Sequence, residues 1–350
     1  MTSTARRSPI PAPAGGPAVV VVGAGIAGVA CARALVRAGI QVHVRERSRH
    51  AGGRMASPVL EGPVLGGRVT DTGASYFTVT PDVVVDGFPA VVDGWVERGL
   101  ARPWTDRFPV LGPDGFGEAK VGPQRYAAPV GLRSLVTDLL ERTAEEAGGR
   151  LVTSFSDEVR AVEAGPRVDG APVDAVVLAM PDPQALRLLG PALGAERAVL
   201  EARTWEPVLA LVAGWQQRTW PELDGAFVAD DTVLGWVADD GSRRGDGAPV
   251  LVAHSTSAFA AAHLDDTAAA APAMLTALDR LLGTGPPTTA QVRRWTYARP
   301  AAPREAAFHW GAARVGLAGD GWGAPKVQTA WASGDALGRA VAAELTAAAG

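Results

Sequence analysis

Cysteine is all but missing: Cys31 is the only one among 350 residues. No internal disulfide can form, and cysteine-based metal sites are excluded. Lysine is nearly as scarce and occurs only at Lys120 and Lys326. The five histidines, His43, His50, His254, His263 and His309, show no H-x-x-x-H or comparable cluster, so no structural metal is expected. No run of 18 apolar residues occurs, which excludes a hydrophobic membrane span. Nor is there a strong charge of one sign. A formal net charge of −4 gives no long-range attraction to nucleic acid or to an anionic membrane.

What is present describes a globular chain. Apolar residues make up 47% and charged residues 20%, enough to form a core and too apolar for disorder. A length of 350 residues implies one large domain or two interlocked ones. The Pro/Ala/Gly-rich start carries Arg6-Arg7, but an export cleavage after Ala18–Val22 would destroy the glycine turn that follows. Residues 1–16 therefore read as a disordered leader and the protein as cytoplasmic.

Ala18–Val22 is a continuous β-branched run, as in a strand buried on both faces. Gly23-Ala24-Gly25-Ile26-Ala27-Gly28 follows at once, then a helical pattern over 26–38 and an alternating strand over Gln41–Glu46: a β-α-β unit. Residues 75–128 hold six prolines and read as an irregular insertion with short elements. Gly131–Ala147 is an amphipathic helix. Strands are expected at Arg150–Phe155, Glu158–Glu163 and Asp174–Met180, and a second sheet at Pro207–Trp215, Ala226–Trp236, Pro249–Ser255 and Gln291–Tyr297. A helix interrupts these near Ala268–Leu282. A short strand at Ala313–Asp320 and a long helix over Val327–Ala348 close the chain.

The three glycines have separate roles. Gly23 permits the tight turn, Gly25 lets a pyrophosphate approach the backbone, and Gly28 lets helix and strand pack closely. The helix start offers N–H groups and a positive dipole end to phosphates. Glu46, 18 residues past Gly28, can accept hydrogen bonds from both adenosine ribose hydroxyls and would repel a 2′-phosphate. Gly52-Gly53-Arg54-Met55 adds a second glycine pair beside an arginine. Gly319-Asp320 ends a strand in an acid, placed for a polyol hydroxyl, ahead of the helix start at Val327. FAD has a ribitol and a flavin carbonyl edge to occupy both, and NAD has neither.

These motifs, with E-R (46–47), D-T-G-A-S-Y-F-T (71–78), R-R-W-T-Y-A-R-P (293–300) and G-L-A-G-D-G-W-G-A-P-K-V-Q-T-A-W-A-S-G (316–334), resemble the flavin amine oxidase superfamily, and within it the renalase-like bacterial FAD oxidoreductases. The resemblance implies an α/β fold: a discontinuous Rossmann-like FAD-binding domain (17–74, 129–190 and 305–350) and an inserted α+β substrate domain on an antiparallel sheet (75–128 and 191–304). It implies cofactor contacts from Gly23, Ala24, Gly25, Ile26, Ala27, Gly28, Glu46, Arg47, Gly53, Arg54, Met55, Gly73, Ala74, Ser75, Val159, Gly319, Asp320, Val327 and Gln328. The absence of a cysteine near the C-terminus implies non-covalent FAD. Neither lysine clearly matches the one many amine oxidases place near flavin N5.

The implied activity is oxidation of a small substrate, an isomeric dihydropyridine of NAD(P)H or an amine, by hydride transfer to flavin N5, with electrons passed on to an acceptor such as O₂. Candidate catalytic residues are Lys326, Trp322, His254 and Tyr76. Candidate pocket walls add Phe77, Trp236 and Trp295. Two alternatives stand beside this reading: an NAD-dependent dehydrogenase, and a non-catalytic flavin-binding protein.

Overall fold

The computed structural model describes residues 16–61, 66–80 and 87–348. The expected leader lies, but for Gly16, outside the described residues. Among them, no helix is long and apolar enough to cross a membrane.

Two sheets organise the chain. The first has six strands, in the order 309–310, 315–317, 175–178, 18–22, 41–46, 151–155. All neighbours are parallel except the edge pair, where His309–Trp310 runs antiparallel to Val315–Leu317. Ala18–Val22 is central because its valines are apolar on both faces and can be covered on both. It pairs Val19 with Val42 on one side and with Ala175 on the other. The sheet's carboxyl edge therefore gathers the residues that follow Val22, Glu46, Leu178 and Leu317. Ligands of parallel α/β sheets bind at that edge, where strand order reverses.

The helix Ile26–Arg37 packs on this sheet, and the C-terminal helix Val327–Ala347 packs on that helix. A Cβ built on Gly334 would lie 1.9 Å from the carbonyl oxygen of Ala27, and one on Gly338 2.6 Å from that of Cys31. Both contacts advance in the same direction, so the two helices run roughly parallel. Val327, seven residues ahead of Gly334, then extends roughly 10 Å beyond the start of the first helix. Both helix starts face the same edge.

The second sheet has eight strands, in the order 289–300, 205–214, 250–255, 234–239, 225–228, 102–112, 115–127, 77–78. It is antiparallel except for the pairing of Phe227 with Val110. The helix Thr267–Leu282 covers one face, burying Met274 and Leu278 against Leu209, Leu211, Val237 and Leu251. The other face turns toward segment 57–76 and carries Trp236 and His254. The architecture is the expected one: a Rossmann-like parallel sheet with an antiparallel sheet beside it.

Three local readings need correction. Residues 75–128 are far more regular than expected. They hold the helix Phe88–Glu97 and a long hairpin, Arg102–Gly112 with Gly115–Ala127. Register shifts beside Pro103 and Pro109 let these prolines sit in strands without breaking the pair. The strand expected over Glu158–Glu163 shrinks to Val162–Glu163, because the N–H groups of Arg160 and Ala161 donate to Asp169 instead of a ladder. Ala226–Trp236 is two strands. Asp231 accepts from the N–H groups of Val233 and Leu234 and turns the chain between them.

The Gly334 contact gives a direct test. Gly334→Ala forces a methyl group against backbone that cannot yield, and should cost at least about 2 kcal/mol in urea unfolding. Gly194→Ala, where a Cβ meets nothing within 4 Å, should leave stability unchanged or slightly raised.

Candidate functional site

The carboxyl edge of the parallel sheet is built from glycines that cannot be replaced and one that faces open space. Gly23 has φ +106°, and a Cβ there would lie 2.7 Å from the carbonyl oxygen of Ala179. At Gly28 a Cβ would lie 1.9 Å from the carbonyl oxygen of Gly23. Gly25 differs: a Cβ there would meet only the Cα of Gly53, at 3.9 Å. The helix begins at Ile26, with Ala27 and Gly28 in its first turn. It has no side-chain cap and no acid in that turn, so its positive end is left for an anion.

Glu46 closes the second strand and is buried. Its Oε2 accepts the N–H of Ala24 at 2.8 Å and its Oε1 that of Ser48 at 2.8 Å, so the carboxylate is oriented by backbone. Asp157 N–H donates to the carbonyl of Glu46, which brings the segment containing buried Val159 alongside. Arg47 is exposed.

The loop at Gly52 docks on the glycine turn through a 2.9 Å bond from its N–H to the carbonyl of Ala24. It presents Arg54, while Met55 is buried in the core. Arg54 makes a bidentate pair with Asp320, Nη2 to Oδ1 at 2.6 Å and Nη1 to Oδ2 at 2.7 Å. Its guanidinium also lies over the Trp205 ring, 5.0 Å from the centroid. Ala74 N–H donates to the Arg54 carbonyl at 2.9 Å. A Cβ on Gly73 would stand 2.1 Å from that oxygen. Gly319 has φ +148°, and a Cβ there would meet nothing within 4 Å. The structure thus brings together Gly23–Gly28, Glu46, Gly53, Arg54, Gly73, Ala74 and Asp320 from both halves of the chain.

At Val327 the C-terminal helix starts without a side-chain cap or a first-turn acid. The Gln328 side chain is locked onto Thr80, accepting its N–H at 2.8 Å and donating to its carbonyl at 2.9 Å. Lys326 Nζ reaches Thr80 Oγ1 at 3.5 Å.

Across the seam, His254 Nε2 lies 3.1 Å and Trp295 Nε1 2.8 Å from one acceptor, the carbonyl oxygen of Thr72. That contact makes Nε2–H the His254 tautomer. Burial, followed by the charge of Arg243, lowers the His254 pKa to about 4, so the ring is neutral near pH 7. Trp236 donates to Ser75 Oγ at 3.2 Å. Tyr76 packs among Trp104, Phe108 and Trp236.

Two candidates lie elsewhere. Phe77 is buried against Phe88, Trp95 and Tyr126. Trp322 packs in a separate core cluster, under the guanidinium of Arg304 and beside His309.

Sequence reasoning missed the ions that hold this seam. Asp71 Oδ1 accepts from Ser57 Oγ at 2.5 Å and from Leu132 N–H at 2.9 Å, and Oδ2 from Arg244 at 3.2 Å. Asp240 pairs with Arg68, Arg243 and Arg244. Arg243, fully buried, also donates to the carbonyls of Asp71 and Ser75. The one available signal was the spacing of Asp240 to Arg243 and Arg244, i to i+3 and i+4.

Comparison with known proteins agrees with this geometry. Residues 21–86 match the family model described as an NAD(P)-binding Rossmann-like domain. A phytoene dehydrogenase of Streptomyces griseus is 46% identical over 80 residues, which is 23% of this chain and only 15% of that relative. Among solved structures, a protein provisionally named a protoporphyrinogen oxidase, from Exiguobacterium sp. 255-15, is 17% identical with a TM-score of 0.70, covering 94% of this chain and 99% of that one. Cyclohexylamine oxidase from Brevibacterium oxydans is 14% identical with a TM-score of 0.69, covering 95% and 100%. A fatty acid isomerase from P. acnes is 13% identical with a TM-score of 0.66, covering 91% and 97%. At these identities the likeness establishes a shared fold.

His254 supplies a pH test. Above about pH 6.5 the ring is neutral both folded and unfolded. As pH falls toward about 4, only the unfolded chain takes up the proton, so stability drops across that window. From pH 7 to pH 5 the His254 contribution should fall by about 2 kcal/mol. Urea unfolding of the wild type against His254→Gln at both pH values measures it. A difference between the two proteins that does not change with pH refutes a neutral buried imidazole.

Proposed function

We propose that the protein is a FAD-dependent oxidoreductase of the flavin amine oxidase superfamily, of the renalase-like kind, with FAD held non-covalently. The carrying observation is the Arg54–Asp320 pair at the carboxyl edge of the parallel sheet, which joins the N-terminal glycine loops to the C-terminal acid and helix start. The residues present fit an extended dinucleotide. Gly25 and Gly319 leave room on the two sides of the loops, and two uncapped helix starts face the same edge.

In this reading Glu46, already aimed by Ala24 and Ser48, binds the adenosine ribose. Ile26 and Ala27 present backbone N–H groups to the pyrophosphate, and Arg54 adds positive charge. Asp320 accepts from a ribitol hydroxyl. Val327 and Gln328 offer backbone N–H groups to the electron-rich edge of the ring system, with Lys326 adding charge beside them. Bound FAD would supply a two-electron acceptor for hydride from the substrate. The chain's own task is placement and electrostatics. Neutral His254 serves by holding Thr72, together with Trp295, so that Gly73–Ser75 keep their place against Arg54. Donors that suit such a seam are isomeric dihydropyridines of NAD(P)H and amines, with an acceptor such as O₂.

The match to a model described as NAD(P)-binding favours one second reading, an NAD-dependent dehydrogenase, which predicts a colourless purified protein. The flavin reading predicts a yellow one. Glu46→Arg and Asp320→Ala should each give largely colourless, folded protein, read from flavin absorbance per chain. Two fully yellow variants would overturn this placement of the cofactor. Anaerobic mixing with a panel of dihydropyridines and amines should bleach the wild type. Bound flavin that no donor bleaches indicates a non-catalytic flavin protein.

A further inference from the structure

At the seam between the two sheets a cleft of about 440 Å³ opens beside Thr72. Its walls include Ala56 and Pro58 from the nucleotide side, Arg133 from the start of the helix Arg133–Ala147, and Arg293 and Trp295 from the edge strand of the second sheet. No carboxylate lines it among the described residues. Asp71, whose charge Arg133 feels, is already committed to Ser57, Leu132 and Arg244. Arg133 is half-buried, and its Nε is buried with no hydrogen-bond partner among the described residues. Burial lowers its pKa, the mark of a cation short of a counter-charge. Its Cγ lies 3.3 Å from where a Cβ on Gly52 would stand, so the cleft adjoins the loop that presents Arg54.

A larger groove, about 600 Å³, lies on the outer side of the first helix and shows the contrast. It too is rich in arginine, but Arg37 pairs with Glu146, Arg98 with Asp138 and Arg339 with Asp335. Its charges are largely met within the protein. In the seam cleft Arg293 meets the neutral side chain of Gln291, and Arg294, which also lines it, the carbonyl of Leu264, so no acid answers these charges among the described residues.

We propose that the seam cleft receives the anionic end of the electron-donating substrate, a carboxylate or phosphate held by Arg133 and Arg293, with Trp295 against the planar group attached to it. A guanidinium pair gives charge-assisted hydrogen bonds to such an oxyanion, and the indole supplies a flat apolar wall. The same pair repels a protonated amine, which narrows the donor to the anionic class. This inference rests on the oxidoreductase reading. It is tested by binding without turnover, so the two can fail separately.

Calorimetric titration of the protein as purified, with benzoate, phenyl phosphate, benzamide, benzylamine and inorganic phosphate, is the experiment. Benzoate and phenyl phosphate should bind at least about tenfold more tightly than benzamide or benzylamine. Arg133→Gln and Arg293→Gln should each weaken benzoate by about tenfold while flavin content stays constant. Trp295→Leu should weaken phenyl phosphate and leave inorganic phosphate unchanged. If either arginine variant fails to fold, the ligand series on the wild type decides. Benzylamine binding as tightly as benzoate, undiminished benzoate binding by the double variant, or no binding of any anion overturns the proposal. Inorganic phosphate binding as tightly as phenyl phosphate also overturns it, since it shows a site for a free ion only.

Discussion

The carboxylate of Asp71 holds the two halves of the molecule in register. One oxygen takes the Ser57 hydroxyl and the Leu132 N–H from the nucleotide side. The other takes Arg244 from the second sheet. A buried carboxylate is costly to desolvate, and that cost is offset only while every lone pair is engaged. Beyond Asp71 the chain runs as a strap of polar contacts. The Thr72 carbonyl meets His254 and Trp295, Ala74 meets Arg54, and Ser75 meets Trp236 and Arg243. Segment 71–76 therefore fixes the distance between the loop that presents Arg54 and the aromatic face.

Much of the nucleotide side was legible in the sequence, because its signals are local. A β-branched run, glycines at fixed offsets and a strand ending in Glu46 are each decided within a few residues by sterics and dipoles. The glycine contacts at Gly23 and Gly28 follow from the turn itself. The second sheet was legible as strands but not as a site. Which face of Pro249–Ser255 carries His254, and that its partner is a backbone carbonyl 182 residues away, depends on sheet order, which no local pattern encodes. The Asp71 and Asp240 network was hidden for the same reason. The hairpin over 102–127 was masked by its prolines, whose usual meaning is reversed where the register breaks.

The neutrality of His254 bears on what chemistry the seam can perform. With its proton held on Nε2 toward Thr72, the imidazole is already committed as a donor. Its low pKa leaves it unprotonated and only weakly basic near neutral pH. Lys120 is exposed, and Lys326 sits at the start of the C-terminal helix with its Nζ 3.5 Å from Thr80 Oγ1. The other charges close to the strap are arginines, which do not exchange protons in this range, and the aspartates Asp71 and Asp240, already held in ion pairs. Such a seam suits a reaction whose bond-making atoms belong to cofactor and substrate, with the protein contributing geometry and field. Chemistry that needs a strong general acid or base fits it poorly.

The shared fold cannot by itself select among the activities named for its structural neighbours, which include amine oxidation and fatty acid isomerisation. What separates such activities lies in side chains that face a substrate, and under the proposed function those belong largely to the second sheet. Because Arg54 is held by Asp320 and by the Ala74 N–H, a residue such as Arg293, which bonds Gln291, can change without touching Arg54, Asp320 or the glycine turn. A scaffold wired in this way keeps the Arg54–Asp320 geometry constant while the charge and shape of the opposite wall vary. The arginine-lined, acid-free cleft at Thr72 is the part of that wall where this chain's own choice is most visible.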